Sequence, residues 1–377
     1  MVNYINGAIR EAIGKGKALM SKIPGSRTLG MHFASLANFA NTEIGVIIDA
    51  LDQLLGSSDY SDPKNLRAKY SRFKQLSGML SNIENIVIAA MSRKSDDDDF
   101  VNKLVQEICM EINYPLPPPV ASCLSQKYYH IYPYYGLICI PLLESEFVLH
   151  IPDLYHELGH PLIERDNPKV EAFQNNLGYF NLMVKKHFDE EIKRREINKL
   201  DIGEYDPIYI YKDSWLQKWS VEFFCDLFAT YTLGPAYLWS NLHMCTKMSW
   251  DVCKTPTHEI STHPAGDARM RCCLIALEVN GFKEDANEIR LKWEEFMQII
   301  GQKRADEYTI AFPEKILRGA AEFCLTGLKQ IDCQLATNDT TDKVNRLLND
   351  SWKQFWEDPQ SFYEWERTAV AEFKGAI

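Results

Sequence analysis

The sequence predicts an α+β fold that is mainly helical, and three observations carry that expectation. Apolar residues recur at helical spacing near the start, an aromatic and β-branched tract interrupts the middle, and helical patterns resume after it. At 377 residues the chain can form two or three domains, or one large core with appendages. The division read from the pattern is a helical region over 1–95, a central domain over 96–285 and a helical region over 286–377.

Taking the elements in order, Ile5, Ala8, Ile9, Ala12 and Ile13 fall at i, i+3, i+4 spacing, and the segment from Ile44 to Leu55 repeats the logic. Helices are therefore predicted over most of residues 1–91. Arg10, Lys15, Lys17 and Lys22 on the first helix would also suit a membrane surface, although packing against the following helices is the commoner outcome. The run SRKSDDDDF (92–100) reads as a linker and a solvated turn that starts the next helix, since carboxylates favour a helix N-terminus. Its spacing does not match a calcium loop. The helix over 99–112 should stop before YPLPPP (114–119), which must be extended or turning. Residues 127–151 then read as a small sheet, with Leu137-Ile138-Cys139-Ile140 as a short apolar strand between Gly136 and Pro141.

From Pro161 to about Val279 the pattern is helical again. KKHFDEEIKRREINK (185–199) predicts an exposed charged helix, NKLDIGEYDP (198–207) a turn or loop, and Trp215–Leu233 an apolar aromatic helix broken by Gly234-Pro235. The last hundred residues, including NDSWKQFWEDPQSFYEWE (349–366), predict further amphipathic helices.

Hydrophobic residues make up 46% and charged residues 25%, the balance of a soluble globular protein. A net charge of −11 argues against a nucleic-acid binder, whose affinity would come from phosphate contacts. The ten cysteines form no CxxC pair, which excludes a zinc ribbon or thioredoxin-type motif and suggests reduced, mostly buried thiols. The start, MVNYINGAIREAIGKGK, has no apolar h-region, and no stretch reaches 18 uncharged apolar residues. A cytoplasmic location without a transmembrane segment is the resulting expectation.

The chemistry concentrates in His156-Glu157-Leu158-Gly159-His160. Histidines at i and i+4 lie one turn apart on one helix face, so both imidazoles can reach a single metal ion. The glutamate beside the first is placed to handle a proton of water at that ion. Two ordinary helix histidines would fit the same five residues, so a third ligand is needed. Glu222 and Asp226 supply a second i, i+4 pair, among Trp219, Val221, Phe223, Phe224, Cys225, Leu227 and Phe228. Carboxylates on so apolar a helix need partners when buried, and a metal with its histidine is such a partner. One of them can ligate, while the other accepts a hydrogen bond from a ligand histidine and fixes its tautomer.

HELGH followed by a helix with ExxxD resembles the gluzincin metallopeptidases, with the spacing of the thermolysin type. Ser261-Thr262-His263-Pro264-Ala265-Gly266-Asp267-Ala268-Arg269-Met270 is similar to the S-T-H-P-P-x-x-x-R-I segment of the CAAX prenyl protease and HtpX-like peptidases. The likeness covers roughly residues 125–280. It implies a zincin-like core with a small mixed sheet packed on the HExxH helix, and one catalytic Zn2+ held by His156, His160 and Glu222. Glu157 would be the general base, Asp226 the partner that orients a histidine, and Arg269 a brace for Asp226 or the cleft. His263 would be an oxyanion donor, with His258, Tyr231 and Tyr237 as rivals. Leu137, Ile138, Cys139 and Ile140 would form the edge strand that aligns an extended substrate. The departures are the missing transmembrane helices, the long interval 161–221 between the two motif helices, Cys225 in place of the usual Ala, and Ala265 in place of a second Pro. A soluble relative similar to the ImmA-like regulatory peptidases also fits. His130, His150, His187 and His243 have no partner pattern.

The expected function is zinc-dependent endopeptidase cleavage of a specific protein or peptide substrate by zinc-activated water, with Glu157 as base. The alternatives are a catalytically silent zinc-bound scaffold or sensor that recognises a protein, and hydrolysis of a non-peptide amide or ester at the same site.

Overall fold

Why the strand tract folds with the N-terminal helices is visible in what it buries: Val120 and Leu137 join the same apolar cluster as Ile9, Ile44 and Val87. The computed structural model describes residues 1–25, 30–57, 63–125, 128–197, 206–247 and 251–376. Of the loop expected at 198–207, residues 198–205 lie outside the described residues. The chain divides into two compact units, one of Met1–Asn102 with Pro119–Leu142 and the other of Lys103–Pro118 with Leu143–Ile377. These boundaries differ from the three regions read off the pattern, because the strands belong to the first unit and the C-terminal helices to the same unit as HELGH.

In the first unit, α1 (Val2–Lys22) buries Ile5, Ile9, Ala12, Ile13 and Leu19. The opposing helix α2 (Ala34–Gly56) supplies Leu36, Ala40, Ile44, Ile47, Ile48 and Leu51. They meet at Gly16, where a Cβ would come within 2.9 Å of Ile48 Cγ1, so only glycine permits this approach. Helix α3 (Pro63–Asn82) runs on through a π-helical turn, Ile83–Ile88, and adds Leu76, Leu80, Ile83 and Val87. The apolar face of α1 is thus closed by helix packing. No helix among the described residues is long and apolar enough to cross a membrane.

The acidic run does start a helix, α4 (Asp96–Glu111), but it is not simply solvated. Asp98 is buried and accepts from the Ser95 amide at 2.7 Å and the Cys123 amide at 2.6 Å. A side chain that reaches back from the first turn to the amide before it satisfies a donor the helix leaves unpaired. Asn102, one turn on, exchanges two hydrogen bonds with the Ala121 backbone, at 2.7 and 2.9 Å. Together they seal one margin of a three-stranded mixed sheet of β1 (Val120–Ser122), β2 (His130–Tyr132) and β3 (Leu137–Cys139).

The sheet order is β1-β3-β2, with β3 parallel to β1 and antiparallel to β2. The edge-strand expectation for Leu137, Ile138, Cys139 and Ile140 is therefore corrected. Both sides of β3 carry ladder hydrogen bonds, and Leu137, Ile138 and Ile140 are buried, so this strand has no open edge to offer a substrate.

The second unit is helical: α5 (Asp153–Glu164), α6 (Glu171–Ile197), α7 (Pro207–Ser214), α8 (Ser220–Leu233), α9 (Pro235–Lys247), α10 (Gly266–Val279), α11 (Lys283–Ile299), α12 (Asp306–Ala311), α13 (Glu314–Gln330), α14 (Lys343–Glu357) and α15 (Phe362–Ala376). Helix α8 is the hub, packed against α5, α10 and α13. A π-helical turn at Trp215–Trp219 precedes it. There Trp215 stacks on Phe223 with ring centroids 4.7 Å apart, and Trp219 lies 4.8 Å from Phe312. Gly234, at φ +88°, ends the helix in a conformation L side chains rarely adopt, and Pro235 opens the next. The charged segment of α6 is exposed on one side only, since Val184, Phe188 and Ile192 are buried at successive i, i+4 steps. The C-terminal helices are amphipathic as the sequence predicts. The first turn of α14 is capped from a distance by Glu111, which accepts from the Val344 amide at 2.7 Å and the Asn345 amide at 3.1 Å.

Asp267, at the start of α10, ties three elements together. It accepts from Trp293 Nε1 at 2.7 Å and from Arg304 Nε at 2.7 Å, and also from the Tyr308 hydroxyl. Burial raises its pKa, but Arg304, Tyr308 and Trp293 outweigh burial and hold it below the ordinary value. A depressed folded pKa means that the carboxylate stabilises the fold above the unfolded-state pKa of about 3.9. That contribution is lost as pH falls through the lower, folded value. The stability difference between wild type and Asp267→Asn in urea unfolding should accordingly be full at pH 7 and shrink on the acid side of that range. A difference independent of pH would show that the charge of Asp267 contributes nothing.

Candidate metal centre

Helices α5 and α8 pack against each other with a close approach at Gly159 and Cys225, and this contact assembles the site. A Cβ on Gly159 would stand 2.9 Å from Cys225 Cα and 3.1 Å from its Sγ. The glycine of HELGH is therefore the residue that lets the helices close. From Asp153 to Gly159 every residue of α5 is buried, so His156 and Glu157 are held in a packed interior and not on a surface helix. Tyr114 steadies the same helix by donating to the Leu158 carbonyl at 2.8 Å.

His156 Nδ1 lies 2.8 Å from Asp226 Oδ1. Asp226 is fully buried and accepts three further bonds, from Tyr237 Oη at 2.5 Å and from Arg269 Nε and Nη2 at 2.7 and 2.5 Å. Burial pushes its carboxyl pKa up, but the Arg269 guanidinium and the bond to His156 reverse that and hold it far below the usual carboxylate range. Arg269 is pushed up in turn, because the pull of Asp226 exceeds the opposing effect of burial. A carboxylate kept ionised here fixes the imidazole by Nδ1 and leaves Nε2 as the donor atom. Nε2 faces Glu222 Oε2 at 3.7 Å.

His160, one turn on, has its ring centroid 5.2 Å from that of His156. Its Nδ1 is 3.3 Å from Glu164 Oε1, and one of its ring nitrogens lies within 4.8 Å of Cys225 Sγ. Burial lowers its pKa, yet Cys225, Glu164 and Glu157 together raise it to about 12, while burial lifts the Cys225 thiol to about 11 against the pull of His160. A metal ion would need the thiolate of Cys225 and the neutral imidazole of His160. Metal affinity should therefore rise with pH.

Among the described residues, His156, His160 and Cys225 form the cluster that could hold a metal ion, with all three ligand atoms within 4.8 Å of one another. The donor chemistry suits a borderline-soft cation such as Zn2+, which takes imidazole nitrogen and thiolate sulfur. Cys225 stands where the sequence placed only a departure from the pattern. Its i+3 spacing from Glu222 on an apolar helix, and a glycine between two histidines that permits close approach, are the signals that could have found it.

His263 is brought to the site, its Nε2 3.8 Å from Glu222 Oε2, and its side chain is 64% exposed. Partial desolvation and Arg269 lower its pKa, with Glu222 opposing. Two rivals for its role are committed elsewhere. The Tyr231 hydroxyl donates to the Ala321 carbonyl at 3.0 Å, and the Tyr237 hydroxyl donates to Asp226. His258 is exposed. His150 and His243 pair away from this centre: His150 Nδ1 lies 3.0 Å from Glu144, and the two rings are 5.3 Å apart. In comparisons with known proteins, no family model, no curated protein and no solved structure matches this chain.

Proposed function

We propose that this chain is a zinc-dependent peptidase of a zincin-like kind, acting on protein or peptide substrates in the cytoplasm. The observation that carries the reading is the relay from Arg269 through Asp226 to His156 Nδ1, which leaves Nε2 turned toward Glu222 of α8, while α5 also presents Glu157 and His160. An imidazole fixed by a buried, ionised carboxylate is the arrangement metal-ligating histidines use.

His156 and His160 would hold the metal, and α8 would complete the set through Glu222, Cys225 or both. Zn2+ bound there would lower the pKa of its water toward about 7 and polarise a scissile carbonyl. Glu157, buried beside His156, would take a proton from the attacking water and pass it to the leaving nitrogen. His263, exposed beside Glu222, would donate a hydrogen bond to the developing oxyanion. Asp226 keeps the His156 tautomer constant throughout, and Arg269 keeps Asp226 ionised.

The test is zinc stoichiometry combined with cleavage of unfolded protein substrates followed by mass spectrometry. The reading expects one zinc per chain, with hydrolysis stopped by a chelator and restored by zinc. A chain that holds one zinc and cleaves nothing would favour the scaffold alternative. A chain that holds none would overturn the metal reading.

A further inference from the structure

We infer that Cys225 is itself a ligand of the metal, and that with His156, His160 and Glu222 it makes a closed resting centre. The inference rests on the metal reading above and specifies how that site is regulated. Its geometric basis is the cluster of three ligand atoms within 4.8 Å, which the protein assembles with Cys225 in it.

Four features support this assignment. Cys225 is fully buried and held by backbone contact, since its Cα sits where a Cβ of residue 159 would clash. Its Sγ lies within 4.8 Å of a ligand nitrogen of both His156 and His160, so the sulfur is within reach of a cation held between them. Glu222 and Cys225 are three residues apart on α8, which places both on one helix face. Finally, Glu222 stands 3.7 Å from His156 Nε2 and outside the group that Cys225 forms with the two histidines. The two α8 residues thus need not compete for one coordination position.

On loading, the Cys225 S–H bond breaks, its proton goes to solvent, and a sulfur–metal bond forms without any redox change. Two imidazoles, one carboxylate and one thiolate satisfy a tetrahedral ion and leave no position for a reacting water, as in structural zinc sites. Turnover would therefore be slow, limited by how often Cys225 leaves the metal. Exchange of the thiolate for a water, with Cys225 taking a proton from solvent, would be the step that opens the centre, leaving two histidines and Glu222 as the protein ligands.

X-ray absorption at the zinc edge tests this directly, with thiolate-to-cobalt charge transfer in the Co2+-loaded protein as a second readout. The wild-type protein should show one sulfur at about 2.3 Å from zinc and a near-ultraviolet charge-transfer band with cobalt. Cys225→Ser and Cys225→Ala should lose both signals and bind zinc at least about tenfold more weakly. One zinc per wild-type chain with no sulfur neighbour would overturn the inference and leave the peptidase reading standing. No bound metal at all would overturn both. The wild-type spectrum alone decides between these outcomes, so the proposal does not depend on either variant folding.

Discussion

Replacing Glu157 by Gln is expected to slow peptide hydrolysis by about 10²- to 10⁴-fold while zinc content and thermal unfolding stay at wild-type levels. The side chain is only 9% exposed, in the middle of a buried helix, so a nearly isosteric amide fits without opening a cavity. What the amide lacks is basicity: it cannot take a proton from water at neutral pH. A zinc-loaded variant without turnover would therefore separate proton transfer from metal binding. Loss of zinc in the variant would instead make Glu157 a ligand, and unchanged turnover would remove it from the mechanism. The comparison also bears on the closed centre inferred above. If Cys225 limits turnover in the resting protein, Cys225→Ala should raise the zinc-saturated rate, and adding Glu157→Gln should abolish the gain.

How much of this was legible in the sequence differs between fold and site. The helices of the first unit follow from periodicity, because Ile5, Ile9, Ala12 and Ile13 are the residues α1 buries. The strand order was not legible. A short apolar run such as Leu137–Ile140 looks the same at an edge or in the middle, and only pairing with Val120–Ser122 and His130–Tyr132 makes it central. Nor was the burial of Asp98, which depends on the Cys123 amide arriving from a distant turn. At the site, i, i+4 spacing was enough to put His156 with His160 and Glu222 with Asp226, since each pair lies within one helix. Contacts between helices were another matter. The roles of Tyr237 and Cys225 depend on where α5 and α8 cross, and that crossing is set by the one missing side chain at Gly159. Arg269 reads from the sequence as a brace for Asp226 or the cleft, and its two hydrogen bonds go to Asp226.

That brace carries the largest stability effect expected in this protein. Arg269→Met should destabilise the metal-free fold by about 3–5 kcal/mol in urea unfolding at pH 7. The reason is less the lost attraction than the charge left behind. Asp226 is fully buried, and without the guanidinium it must either stay ionised in the interior or take up a proton against its hydrogen bonds to His156 and Tyr237. With Arg269 in place the folded pKa of Asp226 is depressed, so the pair stabilises the protein above the unfolded carboxylate pKa, and that contribution is lost as pH falls through the folded value. In the variant the folded pKa should rise, because burial, its largest influence, is then opposed only by the bonds to His156 and Tyr237. Below that raised value Asp226 is neutral and the penalty disappears, so the deficit of Arg269→Met should be largest at neutral pH and narrow toward acid. Asp226→Asn combined with Arg269→Met should recover most of the lost stability, because a neutral amide needs no counter-charge and still accepts from Tyr237. It should not recover the centre. An amide polarises His156 Nδ1–H less than a carboxylate does, and zinc affinity in the double variant should remain about 10- to 100-fold below wild type. A double variant that regained both stability and zinc affinity would show that the Arg269–Asp226 pair holds the fold together and contributes nothing to the histidine it touches.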